Sequence, residues 1–329
     1  MDRRTFLALL PATAAAACAP KAPSDGRTRI RFATDWRAQA EHGGFYQALA
    51  TGEYAKRGLD VQILQGGPGV SVPTLIASGA VEMGMGSDGF IVLSLVNEKA
   101  PVKAVAAFFQ KNPQVIIAHP EIHSIAELKN HPILISDAAR QSFWPWLKAK
   151  YGFTDDQVRS YNFSDAPFLA DPRAAQEGYL TSEPYTIEKT AHLKPAVFLL
   201  ADDGYASYAT MALAPDSLIA SKPDAVRAFV DASAIGWKSY LHGDAAAANK
   251  LILKDNPEMT QDLIDQARAK MVAYGIVEGG DAGTLGIGTM TDARWATFFQ
   301  AASDQGLYPK TLDYRRGYSL QFLPNPKVV

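Results

Sequence analysis

The chain has 329 residues, 47% of them hydrophobic and 20% charged, with 32 Lys and Arg against 34 Asp and Glu for a formal net charge of -2. That length suits two domains rather than one small core. With no basic stripe and no run of like charges, nucleic acid is not expected as a partner, and nothing calls for an acidic polymer.

The first residues, MDRRTFLALLPATAAAAC, combine a charged front, a short apolar stretch and a run of small residues. This is the pattern of an export signal over residues 1–18, too short and too alanine-rich for a good membrane span. Arg3-Arg4-Thr5-Phe6-Leu7 resembles a twin-arginine signal, so the export route stays open. Cys18 is the single cysteine, which rules out an intrachain disulfide framework or a four-cysteine zinc site. Its place after Ala15-Ala16-Ala17 resembles a lipoprotein signal, in which the cysteine becomes the lipidated first residue. Simple cleavage among the alanines is the rival. Lipidation is favoured because a free exposed thiol is a liability in an oxidising compartment. Residues 19–27 read as a proline-rich polar tether.

Residues 29–34 alternate polar and apolar and predict a strand. After the polar loop holding Asp35, Trp36, Glu41 and His42, a helix opens on Gly43-Gly44 and runs to Gly58. LDVQIL is a second strand leading into Gly66-Gly67-Pro68-Gly69, and Ser71-Val72-Pro73 opens another helix. VEMGMGS predicts strand three, DGFIVLSLVNEK a helix and PVKAVAAFF strand four. From His119 the pattern restarts: a short helix in SIAELKNH, a strand in PILIS, a helix in SFWPWLKAKYGF despite Pro145, and a strand in VRSYNF. EGYLTSEPYTIEK reads as a strand-to-helix turn, and AVFLLAD and YATMALAP as strands. Helices are predicted over 222–242, 243–254, 260–274 and 292–305.

Alternating strands and helices predict mostly parallel sheets covered on both faces, with ligands beyond the carboxyl ends of the strands. The order predicts one α/β lobe (28–113 plus 209–329) interrupted by a second (114–208), with crossings near 110–118 and 205–212. Two lobes on a double hinge form a cleft that can close on a solute.

The stretch DW, polar loop, GGFYQAL, GEYAKRGLDVQI and a glycine loop resembles the start of a periplasmic solute-binding protein of an ABC importer. The branch is that of alkanesulfonate and thiamine-precursor (pyrimidine) binders. ASGAVEMGMGSDGF, EGYLTSEPYTIEK and GIGTMTDARWATFFQAASDQGLYP are similar to later segments of the same family, so the resemblance spans the mature chain. It implies the type II two-lobed fold and a non-enzymatic receptor, periplasmic or lipid-anchored at the outer face of the cytoplasmic membrane. The expected partners are a permease, its ATPase and a small solute, with the receptor a monomer needing no cofactor or metal.

In pyrimidine binders of this family, aromatic rings sandwich the solute and carboxylates take its amino groups. The resemblance therefore implies Asp35 as acceptor and Trp36 as stacking ring in the first lobe, with Asp88 beside them and Glu183 before Tyr185 in the second. For Asp88, a helix cap is an equal reading. Gly43 would let backbone approach the solute, with helix packing as the alternative. Glu41, His42, Tyr46, Gly67, Phe109, Ser136, Arg140, Trp144 and Tyr205 complete the expected lining. A sulfonate or nitrate site would present uncrowded amides at a helix N-terminus. Here Asp137 opposes an anion, although Arg140 could offset it. A thiamine-precursor pyrimidine ranks first, a riboflavin-like ring second and an alkanesulfonate third.

Enzymatic readings rank below these. Gly84-Met85-Gly86-Ser87-Asp88-Gly89 fits G-x-G-x-x-G, but no acidic residue ends the next strand to hold a ribose. His119 and His123 are four apart with Pro120 between them, and no third metal ligand is evident. The pyrimidine-synthesis enzyme of this fold relies on a cysteine-rich motif that a chain with Cys18 alone lacks.

Overall fold

The computed structural model describes residues 26–67, 69–140 and 142–324. The expected export signal, Cys18, and all but the last two residues of the expected tether lie outside them. Among the described residues, no helix is long and apolar enough to cross a membrane.

Two five-stranded sheets organise the chain. The first is built from β1 (Thr28–Ala33), β2 (Leu59–Leu64), β3 (Met83–Asp88), β4 (Val102–Phe109) and, much later, β10 (Ala209–Pro215), in the order β2-β1-β3-β10-β4. β1 runs parallel to β2 and β3, while β10 is antiparallel to both neighbours and returns the chain from the other sheet. The second sheet contains β5 (Gln114–Ala118), β6 (Ile133–Ile135), β7 (Val158–Ser160), β8 (Ala175–Tyr179) and β9 (Ala196–Leu199), in the order β7-β6-β8-β5-β9. This is the two-lobed, doubly crossed α/β architecture. The connectors are residues 110–113 and 200–208.

Helices cover these sheets. α1 (Gly43–Ala50), α2 (Glu53–Lys56), α3 (Val72–Ala77) and α4 (Gly89–Asn97) lie between strands of the first sheet. α5 (Asp137–Arg140), α6 (Phe143–Tyr151), α7 (Ala166–Ala170) and α8 (Glu183–Ala191) lie between strands of the second. After β10 come α9 (Asp216–Ser221), α10 (Pro223–His242), α11 (Ala246–Asp255), α12 (Gln261–Ala273), α13 (Ala282–Leu285) and α14 (Asp292–Asp304). An aromatic cluster lies in the core of the first lobe. Phe32 of β1 meets Phe45 of α1 at 4.7 Å and Phe229 of α10 at 4.9 Å between ring centroids.

Five local expectations change. The helix after Gly43 is two helices, because Gly52 adopts φ 72°, a left-handed conformation that ends a helical run. Residues 114–118, expected inside the first crossing, form β5 between β8 and β9. That leaves 110–113 as the connector. SIAELKNH holds only a 3-10 turn, Ile125–Leu128, and VRSYNF is a strand only over its first three residues. Gly43 and Gly44 open α1 because α10 crosses it closely. A Cβ on Gly43 would stand 2.1 Å from the Tyr240 ring, and one on Gly44 2.2 Å from Trp237. Backbone approach to a solute is therefore not what these glycines serve.

Candidate functional site

The carboxyl ends of the parallel strands of both sheets face one another across the cleft. β1 runs into Asp35 and Trp36, β3 ends at Asp88, β6 runs into Ser136, β7 into Tyr161 and Phe163, and β8 ends at Tyr179. The Trp36 loop is held locally. Its carbonyl accepts from Thr34 Oγ1 at 2.7 Å and from Gly66 N at 3.0 Å. Gly66 is required there, since a Cβ would stand 2.4 Å from the Thr34 carbonyl oxygen.

Carboxylates from both lobes gather around Tyr179. Burial, then Asp35, Asp88, Glu41 and Glu183, hold its phenol well above its ordinary value. Glu41 is 2% exposed and accepts a hydrogen bond from Thr181 Oγ1 of the opposite lobe. Burial raises its carboxyl above the usual range, against that bond. Glu183 accepts from Tyr179 N at 2.7 Å and Glu177 from Ser136 N at 3.1 Å. Burial pushes each of these carboxyls up to about 7. Asp88 is raised to about 6 by burial, despite three hydrogen bonds. Its Oδ1 caps α4 by accepting from Phe90 N and Ile91 N, and its Oδ2 accepts from Tyr205 Oη at 2.8 Å. The cap and the cleft-facing position are thus compatible. The buried His42 places Nε2 3.4 Å from Asp35 Oδ1, while its Nδ1 has no hydrogen-bond partner.

Next to Asp35 in sequence, the Trp36 indole meets the Phe163 ring of the opposite lobe at 4.2 Å between centroids and 49° between planes. Tyr161 backs Phe163 at 5.1 Å. Phe163 is 42% exposed and has φ 61°, a left-handed conformation costly for a bulky residue. The lobes meet directly here. Two hollows of about 430 Å³ each lie elsewhere, one beside α11 and α12 and one beside β2.

The structure thus brings together Asp35, Trp36, Glu41, His42, Asp88, Ser136, Glu183 and Tyr205 of the expected residues. Gly67 lies just beyond β2, next to Gly66. Others are turned into packing. Tyr46 is 1% exposed and bonds Asp255 at 2.9 Å, and Phe109 packs on Trp237 in the core. The Trp144 indole donates to Asp155 within its own lobe at 2.8 Å. Gly43 packs on Tyr240. Arg140 is exposed beside Asp137, and Tyr185 bonds Asp262 at 3.0 Å on the rim. Sequence reading missed Phe163, Glu177, Tyr179 and Thr181. Glu177, Tyr179 and Thr181 sit inside the EGYLTSEPY stretch that carried the resemblance, and that was their only available signal.

Two lobes joined by two connectors, with strand ends converging on a shared cleft, define the periplasmic-binding-protein class. Residues 39–265 match the NMT1/THI5-like family, and the chain belongs to it. Riboflavin-binding protein RibY of Chloroflexus aurantiacus is 26% identical over 334 residues, 94% of this chain and 91% of that protein. The alkanesulfonate-binding protein SsuA of Xanthomonas axonopodis pv. citri, solved with MOPS, superposes with TM-score 0.62 at 13% identity, covering 89% of this chain and 98% of that one. The desulfurization enzyme DSZB superposes at 0.56 and 13% identity, covering 90% and 98%. The two structural likenesses carry the fold alone. Family, fold and relatives together describe a substrate-binding protein of the kind that serves ABC import.

Proposed function

We propose that this protein captures a flat heteroaromatic solute outside the cytoplasm and delivers it to an ABC permease and its ATPase. The observation that carries this reading is the Trp36–Phe163 contact between the lobes, with Asp35 preceding Trp36 and with Glu183 and Glu177 near enough to act on Tyr161, which backs Phe163. A ring slid between two aromatic faces needs about 7 Å between them, two ordinary contact distances. The pair stands at 4.2 Å, so the lobes part to admit the solute and close upon it. Asp35 and Glu183 would then accept from ring amines, with Asp88 and Glu41 bracing the lobes. Boundaries at 113/114 and 208/209 fit this motion, because each lies beside a connector.

Two ring systems suit the cleft. A 4-aminopyrimidine precursor of thiamine matches acceptors paired with stacking rings. A flavin is favoured by the full-length likeness to a riboflavin-binding protein, and its ribityl hydroxyls offer further donors. A sulfonate would meet acids where it needs amides or cations. Capture rather than turnover is the role proposed, because Glu41, Asp88, Glu177 and Glu183 all accept hydrogen bonds from protein groups. Export under residues 1–18 and a lipid anchor on Cys18 belong to the same proposal.

Thermal-shift and calorimetric titration with riboflavin, the aminopyrimidine and an alkanesulfonate test it. Either heteroaromatic compound should raise the melting temperature in proportion to the logarithm of its concentration. A response to sulfonate alone, or measurable turnover of the bound compound, would overturn the reading.

A further inference from the structure

Helix α12 directs one polar stripe at a single segment of the opposite lobe. Asp262, Gln266 and Lys270 are spaced four apart, so they share one face of the helix. Asp262 accepts from Tyr185 Oη at 3.0 Å and from Lys189 Nζ, both on α8. Gln266 Nε2 donates to the Thr181 carbonyl, and Lys270 Nζ donates to the Leu180 carbonyl at 3.1 Å. Residues 180–182 form the turn between β8 and α8, and it is the hydroxyl of this same Thr181 that reaches Glu41. α12 itself packs against α10 and α11 on the first lobe. Every one of these bonds therefore joins the two lobes, and none involves Trp36 or Phe163. They hold together the closed form, in which the Trp36 and Phe163 rings stand 4.2 Å apart. Burial holds the Lys270 amine below its ordinary value, as expected of a cation drawn out of water by closure.

We propose that Asp262, Gln266 and Lys270 form a closure latch. They are positioning residues that set the fraction of closed protein and so tune solute affinity without touching the solute. When only a fraction of the protein is competent, the apparent dissociation constant scales inversely with that fraction. Because the rings stand at 4.2 Å in the latched form and must part to admit a solute, the competent fraction is the opened one, so a latch whose loss raises that fraction about tenfold strengthens binding about tenfold. This rests on the cleft being the solute site, but the latch itself can be read without any solute.

Small-angle scattering of the solute-free full chain provides that readout, with riboflavin and the aminopyrimidine titrated in parallel. One variant is Gln266→Ala with Lys270→Met. A second is Asp262→Lys, with Lys189→Asp added as the charge-swapped rescue. The radius of gyration without solute should increase in the first variant and in Asp262→Lys, at a melting temperature within a few degrees of wild type. Affinity for whichever probe binds should rise by up to about tenfold. The swap should return compactness and affinity together to their wild-type values. Unchanged scattering in both variants would overturn the latch, as would a swap that restores neither property. If neither probe binds the wild type, the proposed solute class fails while the solute-free scattering still decides the latch.

Discussion

Trp36 and Phe163 belong to different lobes and meet with ring centroids 4.2 Å apart, Phe163 doing so from a left-handed backbone conformation. An exposed aromatic held in such a conformation is more costly than a loop residue needs to be. Its contact with an aromatic that follows a strand-end aspartate gives the cost a purpose. Trp36→Ala and Phe163→Ala should each weaken solute binding by about 10- to 100-fold, from lost stacking plus lost apolar burial. The double variant should lose less than the product of the two, because one ring without its partner cannot complete the sandwich. Calorimetry with riboflavin and the aminopyrimidine checks this; an unchanged affinity in Trp36→Ala would remove the pair from the site.

The raised carboxyls make stability depend on pH in a defined direction. Burial lifts Glu177 and Glu183 from an ordinary 4.5 to about 7. Between those values the folded protein holds more protons than the unfolded chain, so unfolding free energy falls as pH rises. The contribution is fully present below about 4.5 and is lost by the time pH has passed about 7. Glu177→Gln and Glu183→Gln keep an acceptor for Ser136 N and Tyr179 N while removing the titration. Each should flatten the decline in urea midpoint between pH 4.5 and 7.5 and raise stability at the alkaline end. Parallel slopes in wild type and both variants would contradict the assignment.

The fold could be read from sequence because its signals are local. Strand alternation in β1, the serine cap and early proline of α3, and the glycine stop at Gly58 each depend on a few neighbouring residues. β5 escaped because VIIA is uniformly buried, with no polar alternation to separate a strand from an apolar connector. Of the expected residues that the structure brings together, Asp35, Trp36 and Asp88 were signalled by their strand ends, while Glu41, His42, Glu183 and Tyr205 came from the family resemblance. Glu177 lies inside β8, and its hydrogen-bond partner Ser136 stands 41 positions away at the exit of the neighbouring strand β6. Phe163 needs Trp36, 127 positions away in sequence, before it reads as anything but an exposed loop residue.

Gly43 and Gly44 show the same dependence on distant partners. Tyr240 and Trp237 of α10 occupy the space a Cβ would need, at 2.1 and 2.2 Å. The facing Gly236 is equally constrained, its own Cβ position lying 2.2 Å from the Gly44 carbonyl oxygen. Gly44→Ala should therefore lower stability by about 1–3 kcal/mol through overpacking. The affinity of the folded fraction should be unaltered. Chemical denaturation combined with active-site titration separates the two effects. Normal stability with lost affinity would return these glycines to the solute site.

Arg294 of α14 ties both connectors at once. Its guanidinium donates to the Gln110 carbonyl in the first and to the Ala206 and Ser207 carbonyls, at 3.3 and 3.5 Å, in the second. It also lies 4.1 Å from the centroid of the Tyr208 ring, the residue at which β10 is about to begin. A planar fork can serve several carbonyls and a ring face together, whereas a lysine ammonium cannot. Arg294→Lys should thus free carbonyls in both connectors and lower stability by about 1–3 kcal/mol. Hydrogen exchange should accelerate at residues 110–112 and 205–208 in step, because one side chain anchors both. Acceleration in a single connector, or in neither, would show that the two hinge strands are held independently.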